Sequence, residues 1–420
     1  MQTTPNNRWH QTSFSRLREL AEQYGTPYFL YDVDEVARRI NAVRTAMEGC
    51  VDIFYAVKAN PNLELLKALR DVADGLDISS TGELAQAVLA GFDPRTMSFA
   101  GPAKSACELT AAIGQGVGCI SVESLRELEE CIRIARRSGP KANVGLRINP
   151  EMSNRAFGIK MGGRPVQFGI DEEELAPALR IIEGHSDTLT FCGIHIYAGS
   201  QCFEPSGIVA GVQHTLEIAR RIESQSTLAC GVINLGGGFG LSHTEEGREL
   251  DINAVATELV PILREYKQSS KNGCKLVFEL GRYLTADAGI YVTRIVSSKE
   301  SRGKSFYMTD GGLHHHLAAA GTFGAAFRAN FLLRNLTHPD NPVAKCNLAG
   351  PSCNPTDLLG VDVELPRLEL GDLIGVLKSG SYGLTASPVL FLGRPTPAEL
   401  ICQEGEVHLA RAVKTVVDFN

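Results

Sequence analysis

The chain has 420 residues, 44% hydrophobic and 21% charged, which is enough for a large barrel and a companion domain. Its formal net charge of −7, with no basic run, argues against binding to nucleic acid or anionic membranes. No apolar stretch approaches the roughly eighteen residues of a membrane span, and the first residues lack an apolar signal core. We therefore expect a cytoplasmic protein.

The eleven cysteines are scattered, without CxxC pairs. An odd number of cysteines without a signal peptide is typical of reduced thiols in the cytosol rather than of a disulfide framework. Most of them are expected to be ordinary core residues.

Short β-rich runs alternate with helical patterns from about residue 51 to residue 281. The predicted strands are Ile53–Val57, Leu76–Ile78, Met97–Ala100, Cys119–Val122, Val144–Ile148, Phe191–Ile196, Val232–Leu235 and Leu276–Glu279. The predicted helices include Leu63–Leu69, Glu83–Leu89, Leu125–Arg137, Glu172–Ile182, Val209–Ile222 and Ala254–Tyr266. A further helix precedes the first strand, with Asp32 and Glu35 as a capping pair. Eight such rounds favour a closed (β/α)₈ TIM barrel over an open doubly wound sheet.

The pattern changes after about residue 281, where long helices become scarce. The runs that predict short strands are Ile290–Val296, Ser305–Thr309, Val361–Leu365, Leu373–Leu377 and Val407–Leu409. We therefore predict an α/β protein with a barrel over residues 30–283. A mainly β domain is expected to combine residues 1–29 with 284–420.

Polar residues gather at the carboxyl ends of the predicted barrel strands. They are Lys58, Asp77, Arg147, His195, Tyr197, the glycine-rich run 236–240, Glu279 and Arg282. Active sites of barrel enzymes form at that end of the strands, so these side chains are expected to converge on one mouth.

Lys58 and the glycine-rich run together suggest a phosphorylated aldehyde cofactor. A lysine at a strand end often only pairs with a carboxylate, but a desolvated amine near other cations can form a Schiff base. The backbone N–H groups of the glycine-rich run can wrap a phosphate, although the run could equally be a plain tight turn. A phosphate site after the seventh and eighth strands is common in barrels, which favours the first interpretation.

Glu279, His195 and Tyr197 suit the ring of such a cofactor. A carboxylate opposite a pyridine nitrogen favours the protonated ring that carbanion chemistry needs, whereas an ion pair with Arg282 is the simpler alternative. His195 and Tyr197 alternate along one predicted strand, so only one of them is expected to point into the mouth. Either could lie against the ring, and either could be a core residue.

The motifs as an ordered set are more specific than any one alone. They are FYAVKAN, LDISSTGEL, LRINP, the turn Ala198-Gly199-Ser200-Gln201, LGGGFG, Glu279-Leu280-Gly281-Arg282, GPSCNPTD and SGSYG. Over nearly the whole chain this set resembles the fold-type III pyridoxal-phosphate decarboxylases, which include ornithine/arginine and diaminopimelate decarboxylases. The resemblance implies an alanine-racemase-like barrel architecture, the cofactor pyridoxal 5'-phosphate and a homodimer with shared active sites.

The resemblance also implies residue roles. Lys58 would form the Schiff base, Asp77 would lie near it, Arg147 would contact the phenolic oxygen and Glu279 would pair with the pyridinium. The remaining cofactor contacts would be Tyr197, Ser200, Gly237, Gly238, Arg282 and Tyr382. Cys353, donated by the second subunit, would be catalytic with Lys58, and the candidate substrate contacts are His195, Asp310 and Asp357. No metal site is expected, since the consecutive His314, His315 and His316 point in different directions.

Three departures from the family concern the cofactor or the substrate. Tyr197 stands where many relatives carry a stacked histidine, and Cys353-Asn354-Pro355 replaces the Cys-Glu-Ser of diaminopimelate decarboxylases. The Arg-Pro run that serves substrate carboxylates is missing, and Asp310 is followed by Gly-Gly-Leu-His-His-His-Leu. With KMGGRPVQFG, these features resemble a subgroup that includes glutamyl-carrier-protein decarboxylases. The leading hypothesis is decarboxylation of an L- or meso-amino acid in a specialised biosynthetic pathway, with the substrate tethered to an acyl or peptidyl carrier protein.

Three other functions stay open at this point. They are diaminopimelate decarboxylation for lysine synthesis, amino-acid racemisation, and a non-catalytic decarboxylase homologue. Racemases on a similar scaffold pair the pyridine nitrogen with arginine, so Glu279 and Cys353 argue against that activity. The joint presence of Lys58, Glu279, Arg282, Cys353 and Tyr382 argues against a silent homologue.

Overall fold

The computed structural model describes residues 13–151, 156–244, 247–270, 273–320 and 329–419. Its helices are α1 (Phe14–Tyr24), α2 (Val33–Ala46), α3 (Leu63–Leu69), α4 (Thr81–Leu89), α5 (Ala106–Gly114), α6 (Leu125–Ser138), α7 (Leu175–Gly184), α8 (Pro205–Gln225), α9 (Ile252–Ser269) and α10 (Arg282–Thr285). Its strands up to the eighth barrel strand are β1 (Tyr28–Asp32), β2 (Asp52–Ala56), β3 (Gly75–Ile78), β4 (Met97–Phe99), β5 (Cys119–Val122), β6 (Ala142–Asn149), β7 (Phe157–Lys160), β8 (Ile170–Asp171), β9 (Leu189–His195), β10 (Gly199–Cys202), β11 (Val232–Gly237) and β12 (Lys275–Leu280). The later strands are β13 (Gly289–Ser301), β14 (Lys304–Thr309), β15 (Leu333–Asn335), β16 (Val343–Ala349), β17 (Leu358–Pro366), β18 (Leu373–Val376), β19 (Ala398–Gln403) and β20 (Glu406–Arg411).

Eight parallel strands close into a barrel, which confirms the predicted fold. Going round the barrel, the strands are β2, β3, β4, β5, β6, β9, β11 and β12, and β12 pairs in parallel with β2. Strands covered on both faces read as continuous apolar runs, which is why all eight were visible in the sequence. Each predicted strand overlaps one of these eight.

Helix caps explain where several barrel helices begin. The Asp32 carboxylate accepts a hydrogen bond of 3.1 Å from the backbone N–H of Glu35, as the predicted capping pair requires. Helix α5 begins with a capping box. In it, Ser105 Oγ accepts from the Glu108 N–H at 3.3 Å and the Glu108 side chain accepts from the Ser105 N–H at 3.0 Å. Such caps satisfy N–H groups that the first helical turn leaves without partners.

The rest of the described chain is mainly β, as predicted. Its sheet runs in the order β17, β16, β14, β13, β1, β19, β20, with β15 and β18 joined through β13. The sequence analysis missed β1, β15, β16 and β19. β1 is not consecutive with its partners, since it pairs antiparallel with β13 and parallel with β19. Helix α1 buries apolar side chains in the same core, which includes Phe14, Leu17, Leu20, Tyr28, Leu30, Ile290, Val292, Leu336, Leu373 and Leu400.

Contacts divide the chain into two compact units. The barrel unit comprises the described parts of Ala37–Leu241 and Glu249–Tyr283. The β-rich unit comprises the described parts of Met1–Val36, Ser242–Arg248 and Leu284–Asn420. In the described parts of both units, no helix is long and apolar enough to cross a membrane.

Candidate active site

Strand register places three polar side chains side by side at one level of the barrel. Arg147 on β6 is aligned with His195 on β9, and His195 is aligned with Asn234 on β11. Aligned residues of neighbouring parallel strands point to the same side of a sheet. All three side chains are buried, at the carboxyl half of their strands. The barrel therefore collects them into one polar cluster.

Lys58 lies in the single 3₁₀ turn Val57–Ala59 that follows β2. Its Nζ donates a hydrogen bond of 2.5 Å to Asp77 Oδ2, and its side chain is 40% exposed while that of Asp77 is fully buried. Burial raises the pKa of Asp77, as does the negative charge of Glu279, against the opposing effect of Lys58. Asp77 Oδ1 is buried and has no hydrogen-bond partner among the described residues. The pair thus holds an accessible amine above a carboxylate with an unused oxygen.

Glu279 is a buried carboxylate held from two sides. Asn234 Nδ2 donates to Oε2 at 2.9 Å, and His195 Nε2 lies 3.2 Å from Oε1 without the alignment of a hydrogen bond. Burial by itself would raise the pKa of Glu279, but His195, Lys58 and Arg147 outweigh it and lower the pKa to about 2. Each carboxylate oxygen can accept a second hydrogen bond. Glu279 is therefore ionised at neutral pH and can accept from a further donor.

Arg147 is fixed on the opposite side of the cluster. Its guanidinium donates to Glu123 Oε1 at 2.9 Å and lies 4.9 Å from the centre of the Phe168 ring. The Glu123 carboxylate also accepts from the backbone N–H groups of Gly101 and Gly169, at 2.7 and 3.1 Å. Because Glu123 is anchored by two loops, the position of the guanidinium is well determined.

The glycine-rich run turns tightly at the end of β11. Gly236 and Gly238 have φ angles of 69° and 76°, which favour glycine. A Cβ on Gly236 would lie 2.5 Å from the carbonyl oxygen of Ile196, and a Cβ on Gly238 would lie 2.0 Å from that of Gly199 and 3.1 Å from Ser200 Cα. The absence of side chains thus lets the run pack against the segment that carries Tyr197 and Ser200. The structure brings these predicted phosphate contacts together.

The predicted alternation of His195 and Tyr197 is wrong, because residues two apart on a strand lie on the same face and because β9 ends at His195. His195 is 2% exposed and has Ser121 Oγ 3.3 Å from its Nδ1 and Glu279 near its Nε2. Tyr197 is half-buried, and its ring carbon Cδ2 would lie 3.3 Å from a Cβ on Gly236. Because His195 is buried beside Glu279, it is better placed to interact with Glu279 than to contact the substrate, as the sequence analysis expected.

A cavity of about 100 Å³ enters the barrel from the opposite end of the strands. Its lining includes Arg95 and Lys275 near the strand starts and reaches His195 and Asn234. His195 and Asn234 therefore border this cavity as well as the polar cluster.

Apart from Arg282, which begins α10 at the end of the barrel unit, the other candidate residues lie in the β-rich unit. Asp310 accepts from the hydroxyls of Thr26 and Thr293, each at 2.6 Å, and Asp357 accepts from the backbone N–H groups of Leu313 and Ser352 at 2.7 and 3.0 Å. Both carboxylates are thus committed to the fold of their own unit, which was not expected of substrate contacts. Cys353 is exposed on the loop between β16 and β17.

Tyr382 is half-buried in the SGSYG segment. Its φ of 52° lies in the left-handed region, which is uncommon for a tyrosine and often marks a functional segment. The neighbouring Ser381 hydroxyl is buried with no hydrogen-bond partner among the described residues.

The consecutive histidines are buried within the β-rich unit. His315 has Tyr291 Oη 3.1 Å from Nδ1 and the Pro395 carbonyl 2.8 Å from Nε2, and His316 Nε2 lies 3.0 Å from Ser379 Oγ. Burial lowers the pKa of both His315 and His316 to about 3, so both are neutral at pH 7. In the described part of the chain, no group of three or more His, Cys, Asp or Glu is arranged to hold a metal ion.

Two residues of the cluster escaped the sequence analysis. Glu123 directly follows β5, so the rule that located Lys58 and Glu279 could have found it. Asn234 lies inside β11, where an amide among apolar residues gave no distinct signal.

Comparison with known proteins identifies the family. The family model described as "Pyridoxal-dependent decarboxylase, pyridoxal binding domain" matches residues 33–286. The chain belongs to the pyridoxal-dependent decarboxylases. It is 36% identical to the L-glutamyl-(BtrI acyl-carrier protein) decarboxylase of Niallia circulans, with 96% of this chain and 95% of that protein covered. It is 29% identical to the diaminopimelate decarboxylase of Aquifex aeolicus, over 94% and 91% of the two chains. The crystal structure of the Helicobacter pylori diaminopimelate decarboxylase with L-lysine superposes with a TM-score of 0.85 at 28% identity, covering 96% of this chain and 98% of that one.

Membership of the family makes this chain a pyridoxal-phosphate-dependent decarboxylase, and the cluster fits that cofactor. The glycine-rich run turns tightly through two residues of positive φ and brings its backbone against the segment that carries Ser200, and the buried Asp77 Oδ1 lacks a partner among the described residues. The ionised Glu279 has the charge that a protonated ring nitrogen needs.

Proposed function

We propose that this decarboxylase acts on an α-amino acid whose far end is joined as a thioester to a carrier protein. The α-amino and α-carboxyl groups would be free to react, and CO₂ would be released from the α-carbon. The proposal is supported by the 36% identity to a decarboxylase named for an acyl-carrier-protein substrate, over 96% of the chain. The residues that distinguish the chain from diaminopimelate decarboxylases point in the same direction.

The observation that carries this proposal is the neutral histidine run. The resemblance to diaminopimelate decarboxylases implies an arginine-containing run that serves a substrate carboxylate, and that run is missing after Asp310. Here the corresponding segment has His315 and His316, whose pKa values of about 3 keep them uncharged, followed by the buried Ala318. A thioester has no charge at its far end, so it needs no cation there.

The barrel residues are proposed to hold the cofactor and control charge. Lys58 would hold the aldehyde, steadied by Asp77, and Arg147 would bind the phenolic oxygen. Glu279, kept ionised by His195, Lys58 and Arg147 and held by Asn234, would face the ring nitrogen. When bound, the cofactor withdraws electrons from the α-carbon, so that the α-carboxylate can leave as CO₂.

The phosphate contacts proposed for this cofactor come from several segments. They are Ser200, Gly237, Gly238, Arg282 and Tyr382, while Tyr197 would lie against the ring. We propose residues 30–283 as the cofactor-binding domain and residues 1–29 with 284–420 as the domain that completes the site in a homodimer.

Cys353 is proposed to supply the proton that replaces CO₂ on the α-carbon. Its thiol is exposed on a loop, and Asp357 fixes that loop through its backbone. In the homodimer that we propose, each subunit would present this thiol to its partner's barrel. A neutral thiol can donate one proton per turnover and regain it from water.

The experiment compares CO₂ release from one amino acid in two forms. An L-glutamyl group on a carrier protein, the substrate class named for the Niallia circulans relative, is measured beside free L-glutamate, meso-diaminopimelate, L-lysine and L-ornithine. We expect kcat/KM to be at least about 100-fold higher for the carrier-bound group, because remote binding energy contributes to the transition state. Turnover of a free diamino acid with equal or higher kcat/KM would refute the proposal.

Diaminopimelate decarboxylation is the second candidate, favoured by relatives of 28–30% identity with nearly complete coverage. The same assay separates the two candidates, because release of CO₂ from meso-diaminopimelate alone would establish it.

A further inference from the structure

A buried ion pair lies beside the polar cluster of the barrel. Lys104 Nζ is 2.8 Å from Glu127 Oε1, and the two side chains are 2% and 9% exposed. Transfer of two charges out of water costs free energy, which their attraction offsets only when the geometry and further hydrogen bonds are favourable. Neither residue has a role in the proposed function. A buried ion pair is weak evidence of stabilisation, so its contacts are the better guide to its role.

Lys104 joins two segments of the barrel unit. It lies in the loop between β4 and α5, and its Nζ donates to the carbonyl oxygen of Gly101 in the same loop at 2.7 Å. Nζ also donates to the carbonyl oxygen of Ser121 on β5 at 2.9 Å. With two of its three N–H groups used in this way, the ammonium charge is held next to Glu127. Lys104 thus fixes the end of β5 to the loop that follows β4.

Glu127 and Gly101 both hold Glu123. Glu127, in the first turn of α6, accepts from the backbone N–H of Glu123 at 2.8 Å through Oε2. The backbone N–H of Gly101 donates to Glu123 Oε1 at 2.7 Å. Lys104 therefore constrains Glu123 by two routes. One holds its backbone through Glu127, and the other holds its carboxylate through Gly101.

The carboxylate of Glu123 in turn holds Arg147. Glu123 Oε1 accepts from the Arg147 guanidinium at 2.9 Å, and both side chains are buried. The connected groups are thus two cations and two carboxylates whose side chains are no more than 9% exposed, namely Lys104, Glu127, Glu123 and Arg147. Their charges cancel. Removal of one charge would leave another uncompensated in the interior, which would disturb the rest of the network.

We propose that Lys104 is a positioning residue of the active site. It acts through Glu127 and Glu123 to hold the Arg147 guanidinium where it can bind the phenolic oxygen of the cofactor. This inference rests on the part of the proposed function that gives Arg147 that contact. Lys104 is not a contact residue itself, because its side chain is 2% exposed and its ammonium group is occupied by groups of the barrel unit.

Loss of the Lys104 charge should displace Arg147 without removing it. A carboxylate buried without its cation takes up a proton, so Glu127 would become a weaker acceptor for the Glu123 N–H. The loop that carries Gly101 would also lose its hydrogen bond to Lys104. A displacement of about 1 Å in a group that orients the reacting molecule can cost about 100-fold in rate. We therefore expect about tenfold from a smaller displacement.

The experiment measures how the effects of Lys104 and Arg147 depend on each other. The variants are Lys104→Met, Arg147→Met and the double variant, since methionine is unbranched like lysine but carries no charge. Arg221→Met is the control, because it removes a cation paired at 2.6 Å with the buried Glu172 of the same unit. For each full-length protein, the Kd for pyridoxal 5'-phosphate is measured by titration of the cofactor-free form. The absorbance spectrum, urea unfolding, and the kcat and KM for the substrate that the wild type prefers are measured on the holoenzyme.

We expect Lys104→Met to raise the cofactor Kd and to lower kcat, each by about tenfold, with KM changed less than about twofold. KM should change little because Arg147 is proposed to contact the cofactor rather than the substrate. The absorbance band at roughly 420 nm should shift in the same direction in Lys104→Met and Arg147→Met. In the double variant, the Kd should lie within about twofold of that of Arg147→Met, because the effects of residues in one network do not add. Arg221→Met should match the wild type in Kd, kcat and spectrum.

Independent effects of the two substitutions in the double variant would overturn the inference, because Lys104 would then not act through Arg147. A wild-type Kd and kcat in Lys104→Met would overturn it as well. If Lys104→Met does not fold, Glu127→Gln takes its place, because it removes the partner charge and keeps an acceptor oxygen. We expect it to raise the Kd about threefold or more, and to have no further effect once Arg147 is replaced.

Two results separate this inference from the proposed function. If Arg147→Met leaves the cofactor Kd and the spectrum unchanged, the proposed contact of Arg147 is wrong, and the role of Lys104 is wrong with it. If Arg147→Met weakens cofactor binding but Lys104→Met does not, only the role of Lys104 is wrong. Neither result depends on which amino acid is the substrate, because the Kd is measured without it.

Discussion

Two groups of buried titratable side chains respond differently to burial, one in the barrel unit and one in the β-rich unit. In the barrel, Glu279 lies among His195, Lys58 and Arg147 and has a pKa of about 2. In the β-rich unit, His315 and His316 have pKa values of about 3 and are neutral at pH 7. Burial opposes charge in both places. Of these two groups, only the barrel cluster contains counter-charges that outweigh burial, so Glu279 stays ionised whereas His315 and His316 are neutral.

Replacement of Lys58 is the most direct test of the role of the barrel cluster. We expect Lys58→Ala to reduce CO₂ release at least about 1,000-fold, because the residue proposed to hold the cofactor is lost. An absorbance band at roughly 420 nm, characteristic of a cofactor held by lysine, should disappear from the purified protein. Lys67→Ala, which removes an exposed lysine paired with Glu64, is the control and should keep both signals. A variant that retains the band would show that another amine holds the cofactor.

Glu279 tests whether the charge of the barrel cluster matters. Glu279→Gln keeps the shape of the side chain but removes its charge, so we expect kcat to fall at least about 100-fold while the cofactor stays bound. The absorbance spectrum and CO₂ release are measured together. Glu172→Gln changes another buried carboxylate of the barrel unit, paired with Arg221 at 2.6 Å, and should leave kcat within a few-fold of the wild type. A similar kcat for Glu279→Gln and the wild type would mean that the negative charge is not needed.

Replacement of His316 tests the neutral histidines and should have the smallest of these effects, on stability rather than on activity. Unfolded histidine binds a proton below pH 6.5, whereas folded His316 resists protonation until about pH 3. The stability that it contributes is therefore complete above pH 6.5 and is lost as the pH falls toward 3, by roughly 2 kcal/mol between pH 7 and pH 5. His316→Gln should reduce the difference in unfolding free energy between these pH values, measured in urea. An unchanged difference would indicate that folding does not lower the pKa of His316.

The sequence predicted the barrel well because its strands are covered on both faces. Their continuous apolar runs, and the position of Lys58 and Glu279 at strand ends, follow from local order along the chain. β1 was missed because its partners β13 and β19 come from distant parts of the chain. Asn234 was missed because its role depends on its hydrogen bond to Glu279, which forms only when the barrel closes.

The sequence by itself determined the barrel rhythm, the mainly β end and the family motifs, since these depend on patterns of neighbouring residues. Only the tertiary structure decided that His195 supports Glu279, that Asp310 and Asp357 are committed to their own unit, and that the histidine run is neutral. Those properties depend on burial and on charges far apart in the chain. Neither quantity exists until the chain has folded.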